Sequence, residues 1–570
     1  VCWKVTEERG KLAVPANRAA RRGPRVSGKR LARVVGTFAA VCLAVLAFYS
    51  PFLDDVYAGM HHADGWGLLW RVMKVHDAGS ALHFVFQMMY GFFAPVRQTL
   101  YLVLYTLFDY RLYPALKVGQ IVVHTANVLG AYFLLKRNLR EGAGAVLGAV
   151  LFGTSYGTFT VMRGPLWWIG KALGPSMIIG ALIALELFRS NRRKVLLGMS
   201  CLLCVLAPAT APLGVVAAPL CALYAVLVGG FRSRRAMTLL LAYLVSSMCF
   251  FGPLLLLHGR SLAQVLRDHP KKGRIVTTSP GKVLEMTTGV VLRLWVKERY
   301  IRFYEYDWYS KQPWYHDGAL SRTLGWFQRT SPVVLGLAIA LSGAAVVLLR
   351  SRPPRIFRVQ LLQFAAFCFL GVLVTVLVIG VPRFAQTGSA INFLNRSRYL
   401  YAAMFFLGAL VASLAEPGLI VARLLIGRAG PWALAAAVAL PSVLANRVAL
   451  DVYDLREEGL EVRPGAGAIM ADLRRLNTIA EYRAASGLAT TFPSRPLPAR
   501  GRGMPLHVLA KVATGDRPSA IHWVEEVDDA AQGDFQAIVK DLPALRSFYE
   551  RYYPDVLVVS RGRVTPSAGR

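Results

Sequence analysis

Acid is what this sequence has least of: 32 Asp and Glu stand against 66 Lys and Arg in 570 residues, a formal net charge of +34. Cysteine is sparse as well, and six of the seven (Cys42, Cys201, Cys204, Cys221, Cys249, Cys368) fall in apolar runs, which excludes a disulfide-stapled scaffold. The CxxC spacing of Cys201 and Cys204 inside such a run reads as small packing side chains rather than a redox motif. Charge of either sign disappears for long stretches, with none in the 20 residues 34–53 and none in the 37 residues 195–231. About 20 apolar residues cross a bilayer, so a soluble globular protein is excluded and a multi-pass membrane protein is implied.

The positive excess has an uneven distribution. Residues 451–570 hold 16 basic and 16 acidic residues, so the whole surplus, 50 basic against 16 acidic, lies with the apolar segments. It reads as membrane topology and not as a nucleic-acid footprint, and no nucleic-acid partner is expected.

Eleven spans are expected, roughly at 34–53, 114–135, 143–162, 166–187, 195–208, 212–230, 236–257, 331–349, 359–381, 399–415 and 430–446. Pro208 and Pro212 divide the long charge-free stretch into two helices, because proline removes a backbone donor. If the first span runs outward, the inside loops are 136–140, 189–194, 231–235, 350–358 and 416–428. Each carries at least two Lys or Arg, as the positive-inside rule requires. Residues 1–33, with ten basic and two acidic residues, read as a cytoplasmic tail leading into an uncleaved anchor.

The expected organisation is therefore an α-helical multi-pass membrane domain over 34–450, with outer loops at 54–113 and 258–330 and a soluble extracytoplasmic domain over 451–570. Within the first outer loop, 98–108 is too short to cross and reads as an interfacial or re-entrant helix. The last domain mixes helical periodicity (468–482, 534–552) with short strand-like apolar runs (506–512, 520–524, 555–560), which reads as a small α/β fold.

Asp54 and Asp55 follow the first span at once, which places two carboxylates at the outer membrane edge. Beyond them comes FFAPVRQTLYLVLYTLFDYRLYPALKVGQIVVHTANVLGAYFLLKR (Phe92 to Arg137), and much later NRSRYLY (Asn395 to Tyr401) opens a membrane helix. These stretches resemble GT-C membrane glycosyltransferases. Arg97 matches the family's arginine, Pro114 its proline, and His124 and Asn127 its His-x-x-Asn, while Gln98 stands where the family usually has proline.

The resemblance covers about a third of the chain. It implies a polyprenyl-phosphate-linked sugar as donor, transfer with inversion on the extracytoplasmic face, an essential acidic residue in the first outer loop, and substrate contacts from Arg97, Arg396, Arg398 and Tyr399. The acceptor, whether glycan, lipid or protein, stays open.

The residues suit that chemistry on their own terms. A carboxylate such as Asp54 or Asp55 takes the acceptor's proton as general base. Arg396 and Arg398, at the start of a membrane helix and at headgroup depth, match phosphate oxygens with their planar forks. Plainer readings stand beside these: a solvated acidic pair, arginines that snorkel to lipid headgroups, and a His124–Asn127 face that only hydrogen-bonds another helix.

Asp54, Asp55, His61, His62 and Asp64 crowd within eleven residues, which admits a divalent cation, although the spacing matches no motif of defined geometry. Trp and Tyr across 300–315 read as an interface belt before they read as a sugar platform. The rival functions are a transporter or flippase of lipid-linked sugar and a non-catalytic membrane scaffold. A transporter would carry ionisable groups near the midplane of several spans, whereas here the acidic groups gather at one edge.

Overall fold

The computed structural model describes residues 28–50, 72, 75–87, 93–108, 112–163, 168–229, 233–268, 279–292, 355–380 and 397–457. Among them every regular element is a helix. The first is α1 (Gly28–Phe48), followed by a pair in the first expected outer loop, α2 (Ala78–Phe86) and α3 (Pro95–Phe108). Next come α4 (Leu112–Asn138), α5 (Gly142–Gly153), the short α6 (Phe159–Arg163), α7 (Leu173–Asn191), α8 (Lys194–Thr210), α9 (Ala217–Leu227) and α10 (Ser233–Asp268). After α11 (Pro280–Leu292) and α12 (Arg355–Thr375), the series closes with α13 (Ser397–Ile426) and α14 (Gly430–Glu457).

Among the described residues, five stretches are long and apolar enough to cross a membrane: Ala115–Asn138, Ile169–Asn191, Ala236–Gly259, Val359–Gly380 and Leu400–Arg447, the last combining α13 and α14. Four shorter apolar helices, Val35–Phe48, Gly142–Gly153, Lys194–Thr210 and Pro212–Leu227, fall on other expected spans. The protein is thus a helical membrane protein. The expected span 331–349, residues 1–27 of the expected tail and nearly all of the expected α/β domain lie outside the described residues, while residues 28–33 of that tail already belong to α1.

Boundaries differ from the sequence reading where a buried polar group or proline acts inside a helix. The expected inside loop at Glu416 is helical, because α13 continues through Pro417 to Ile426 and turns only at Gly427–Ala429. Likewise Pro208 sits in the last turn of α8, and the chain breaks at Ala211, in extended backbone, before a 3-10 turn at Pro212–Val216. That turn folds back so tightly that a Cβ on Gly214 would lie 2.0 Å from the carbonyl carbon of Ala207, which only glycine permits. In the second half of the expected span 143–162, α5 stops at Gly153 and a 3-10 turn (Tyr156–Thr158) leads into α6.

Polar contacts gather several connectors at one end of the bundle. Asn138 donates to Tyr224 (3.1 Å), the Tyr224 hydroxyl to Glu186 (2.9 Å), and Arg189 both pairs with Glu186 (3.1 Å) and donates to the Val228 carbonyl (2.9 Å). Beside them, Glu416 accepts from the backbone N–H groups of Arg140 (2.7 Å) and Glu141 (2.8 Å), and Arg423 pairs with Glu141 (2.7 Å). The carboxylate of Glu416 thereby caps α5 from another helix, satisfying donors that a helix start leaves open. The expected inside loops 136–140, 189–194 and 416–428 share this basic end, as does the connector after Val228.

Cys204 lies 3.7 Å sulfur to sulfur from Cys221 on α9, a packing contact between apolar helices. At about 54 Å for its 36 residues, α10 is longer than the ~30 Å bilayer core, so part of it projects. The projecting turn holds the α2–α3 pair: His258 donates from Nε2 to the Phe86 carbonyl (2.9 Å), and its ring lies 5.1 Å from that of Phe93.

Candidate functional site

One face of α4 carries four buried polar side chains at helical spacing: Lys117, Gln120, His124 and Asn127. Positions three and four apart lie on the same side of a helix, and polar groups inside a membrane bundle are costly unless paired. Gln120 donates to the Val161 carbonyl of α6. His124 holds the Gly153 carbonyl at the end of α5 through Nε2 (3.1 Å) and the Tyr401 hydroxyl on α13 through Nδ1 (2.9 Å). Asn127 donates to the same hydroxyl (3.0 Å) and to the Ala172 carbonyl (3.4 Å).

The roles in this network follow from which groups can donate. A carbonyl only accepts, so His124 donates from Nε2. In the neutral tautomer its Nδ1 then accepts the Tyr401 proton, and the tyrosine oxygen accepts from Asn127. The helix-to-helix role expected for His124 and Asn127 is what the structure shows.

Tyr49, one residue beyond α1, stands on the other side of the imidazole. Its ring meets that of His124 edge to face at 5.5 Å, and its hydroxyl donates to Thr158, which in turn donates to the Ser155 carbonyl (2.5 Å). Tyr401 packs on the same imidazole with ring centroids 5.8 Å apart and on Phe152 at 5.3 Å. His124 is fourteen residues from Asn138, so this hub lies about 20 Å along α4 from the basic end.

Arg97 approaches the hub from α3. A Cβ on Gly170 would sit 3.6 Å from its Nη1, and Gly170 belongs to the π-turn Trp168–Ala172, whose final carbonyl receives Asn127. A one-turn π-bulge at the head of α7 is a break that functional sites frequently use. Gln98, which replaces the proline of the resembled pattern, is fully buried and donates to the Phe84 (2.7 Å) and Gln87 (3.0 Å) carbonyls. It closes the end of α2, which proline, without a side-chain donor, would leave open.

Of the other expected site residues, Asp54, Asp55 and Arg396 lie outside the described residues, as do His61, His62 and Asp64. Arg398 and Tyr399 fall in the first turn of α13. Asp77 is differently engaged, because its side chain caps α2 by accepting from the Ser80 N–H (2.6 Å), while Ser80 accepts from the Asp77 N–H (3.0 Å). Those backbone and hydroxyl bonds from Ser80 lower its pKa, so it is a helix cap and no base.

Sequence reasoning missed Tyr49, Thr158 and Lys117, and held Tyr401 only as the last residue of NRSRYLY, without its role. Only Lys117 left a local signal, a cation in phase with Gln120 and His124. Among the described residues no three His, Cys, Asp or Glu are arranged to hold a metal ion. Neither the protein-family models nor the characterised proteins compared with this chain match it.

Proposed function

We propose that the protein is an integral membrane glycosyltransferase of GT-C type that moves a sugar from a polyprenyl phosphate to an extracytoplasmic acceptor with inversion. The observation that carries this reading is that the chain before Asp54 and Asp55 and the helix that carries Arg398 in its first turn are pinned to one imidazole, through Tyr49 and Tyr401. A carboxylate base and a cation for the departing phosphate belong together in such a reaction, and Arg97 comes to the same place from α3.

In the proposed mechanism Asp54 or Asp55 removes the acceptor's proton as its oxygen attacks the anomeric carbon. Charge grows on the phosphate as the glycosidic bond breaks, and fixed guanidinium groups stabilise it. A transporter fits less well: among the described residues the buried carboxylates Glu141, Glu186 and Glu416 are engaged at the basic end rather than strung across the midplane. The direct test compares lipid extracts of a deletion strain and its parent. Accumulation of one polyprenyl-phosphate sugar is expected, and unchanged lipid-linked sugars would refute the reading.

Eleven spans, a cytoplasmic tail, the hub's end facing outward and an extracytoplasmic α/β domain complete the proposal. It is supported by the gathering of basic connectors at one end. Because α14 runs on to Glu457, a reporter active only outside belongs after that residue, where it should be active. The same reporter at Arg192, in the two-residue connector between α7 and α8, should be silent. Reversed signals would put Asp54 and Asp55 in the cytoplasm and end the proposal.

A further inference from the structure

The α13–α14 hairpin runs on past the rest of the basic end. Glu416 caps the start of α5, and α13 then continues ten residues to Ile426, about 15 Å along its axis. The tip is tightly built: Gly427 turns the chain in the left-handed region, and a Cβ on Gly430 would lie 2.1 Å from the Ala422 carbonyl oxygen. Residues 423–429 are all exposed. Leu424, Leu425 and Ile426 are 58%, 79% and 68% exposed, and Trp432 beyond the turn is 50% exposed.

Successive helical residues point about 100° apart, so these three aliphatic side chains spread over about 200° of the helix surface. A docked protein covers one face of a helix. Apolar exposure on so many sides calls for a medium that surrounds the tip, which at the end of a membrane bundle is lipid. Charge then selects among lipids: residues 417–450 contain no Asp or Glu, and the carboxylates described at this end, Glu141, Glu186 and Glu416, are buried. Arg428 is exposed in the turn, and the Arg423 side chain is 52% exposed even while it holds Glu141 at 2.7 Å.

We propose that the hairpin tip binds an anionic phospholipid, with the headgroup phosphate on Arg428 and Arg423 and the acyl chains against Leu424, Leu425 and Ile426. Trp432 marks the interface beside it. In the topology proposed above the site lies in the inner leaflet, and nothing in it depends on sugar transfer.

The test uses the full-length protein in nanodiscs of phosphatidylcholine mixed with phosphatidylglycerol, re-extracted in detergent, with the retained phospholipids counted by mass spectrometry. The wild type should retain phosphatidylglycerol in preference. Arg428→Gln should lower that retention about fivefold and leave phosphatidylcholine unchanged. Leu425→Ser with Ile426→Ser should lower retention of both lipids. Arg193→Gln, at an exposed position before α8 at the same end, should change either by less than about twofold. Phosphatidylglycerol should also raise the melting temperature of the wild type, a gain that Arg428→Gln largely loses, because a ligand of the folded state stabilises it.

Equal losses in Arg193→Gln and Arg428→Gln would reduce the effect to the general positive charge of this end and overturn the site. Unchanged lipid retention in the Leu425/Ile426 variant would place the tip in water, where it docks a protein, and overturn the lipid occupant. Competition by excess glycerol phosphate would make it a site for free phosphate and do the same. If the Leu425/Ile426 variant does not fold, the comparison of Arg428→Gln with Arg193→Gln still decides.

Discussion

The double change Asp54→Asn with Asp55→Asn is expected to lower sugar transfer by about 10²- to 10⁴-fold, with the protein still present in the membrane at its normal level. Asparagine keeps the size of the side chain and removes the basic oxygen, so the loss isolates proton transfer from packing. The single variants then assign the base, since only one of the two is required to take the acceptor's proton. Asp77→Asn is the matched control: it lies in the same expected outer loop, but its oxygen accepts from the Ser80 N–H at the start of α2, a cap that the amide oxygen of asparagine retains, so the rate should stay within about twofold. A carboxylate base also predicts an acid limb in the pH profile, because protonation removes the lone pair that accepts the proton. Wild-type transfer by the double variant in membranes would remove the pair from the chemistry.

How far the fold is legible in the sequence differs from helix to helix. Spans such as Ala115–Asn138 and Val359–Gly380 are legible because charge-free length reports the membrane directly. The π-turn before α7 and the break after Gly153 are not: both fall inside stretches that read as single spans, while the backbone changes its hydrogen bonding. Glu416 reads in the sequence as a loop carboxylate because acid usually marks the membrane edge. Its actual role, capping α5 from a helix 275 residues away in sequence, has no local signature.

The site shows the same asymmetry. His124 and Asn127 stand out as polar residues three apart in an apolar run, but their common partner Tyr401 is an ordinary tyrosine at the start of a helix, where aromatics abound. Tyr49 is hidden for the same reason, since an aromatic near a span end reads as an interface anchor. What identifies both is tertiary pairing with one imidazole. Polar pairing across a sequence separation of 277 residues is not written into any window of the chain.

Gly408→Leu is expected to abolish both the folded bundle and transfer, because it drives apart the two helices on which the hub depends. The backbones of α5 and α13 touch: a Cβ on Gly408 would lie 2.7 Å from the Gly148 carbonyl oxygen, and one on Gly148 would lie 3.0 Å from the Gly408 oxygen. In lipid there is little hydrophobic gain from joining helices, so their association rests on close packing through small residues, here Gly144, Gly148, Gly408 and Ala412. Alanine at 408 meets main-chain oxygen and not a yielding side-chain tip, so even that change should cost about 1 to 3 kcal/mol. Leucine leaves no solution except separation. Tyr401 sits seven residues away, two turns and about 10 Å up the same helix, so displaced α13 withdraws the hydroxyl that His124 and Asn127 share. The contrast is Gly252→Ala on α10, where a Cβ meets nothing within 4 Å and alanine should be neutral or slightly stabilising. Thermal melting and size-exclusion profiles of the detergent-solubilised variants measure the difference; a Gly408→Leu protein that stays monodisperse and melts with the wild type would show that α5 and α13 do not meet through these glycines.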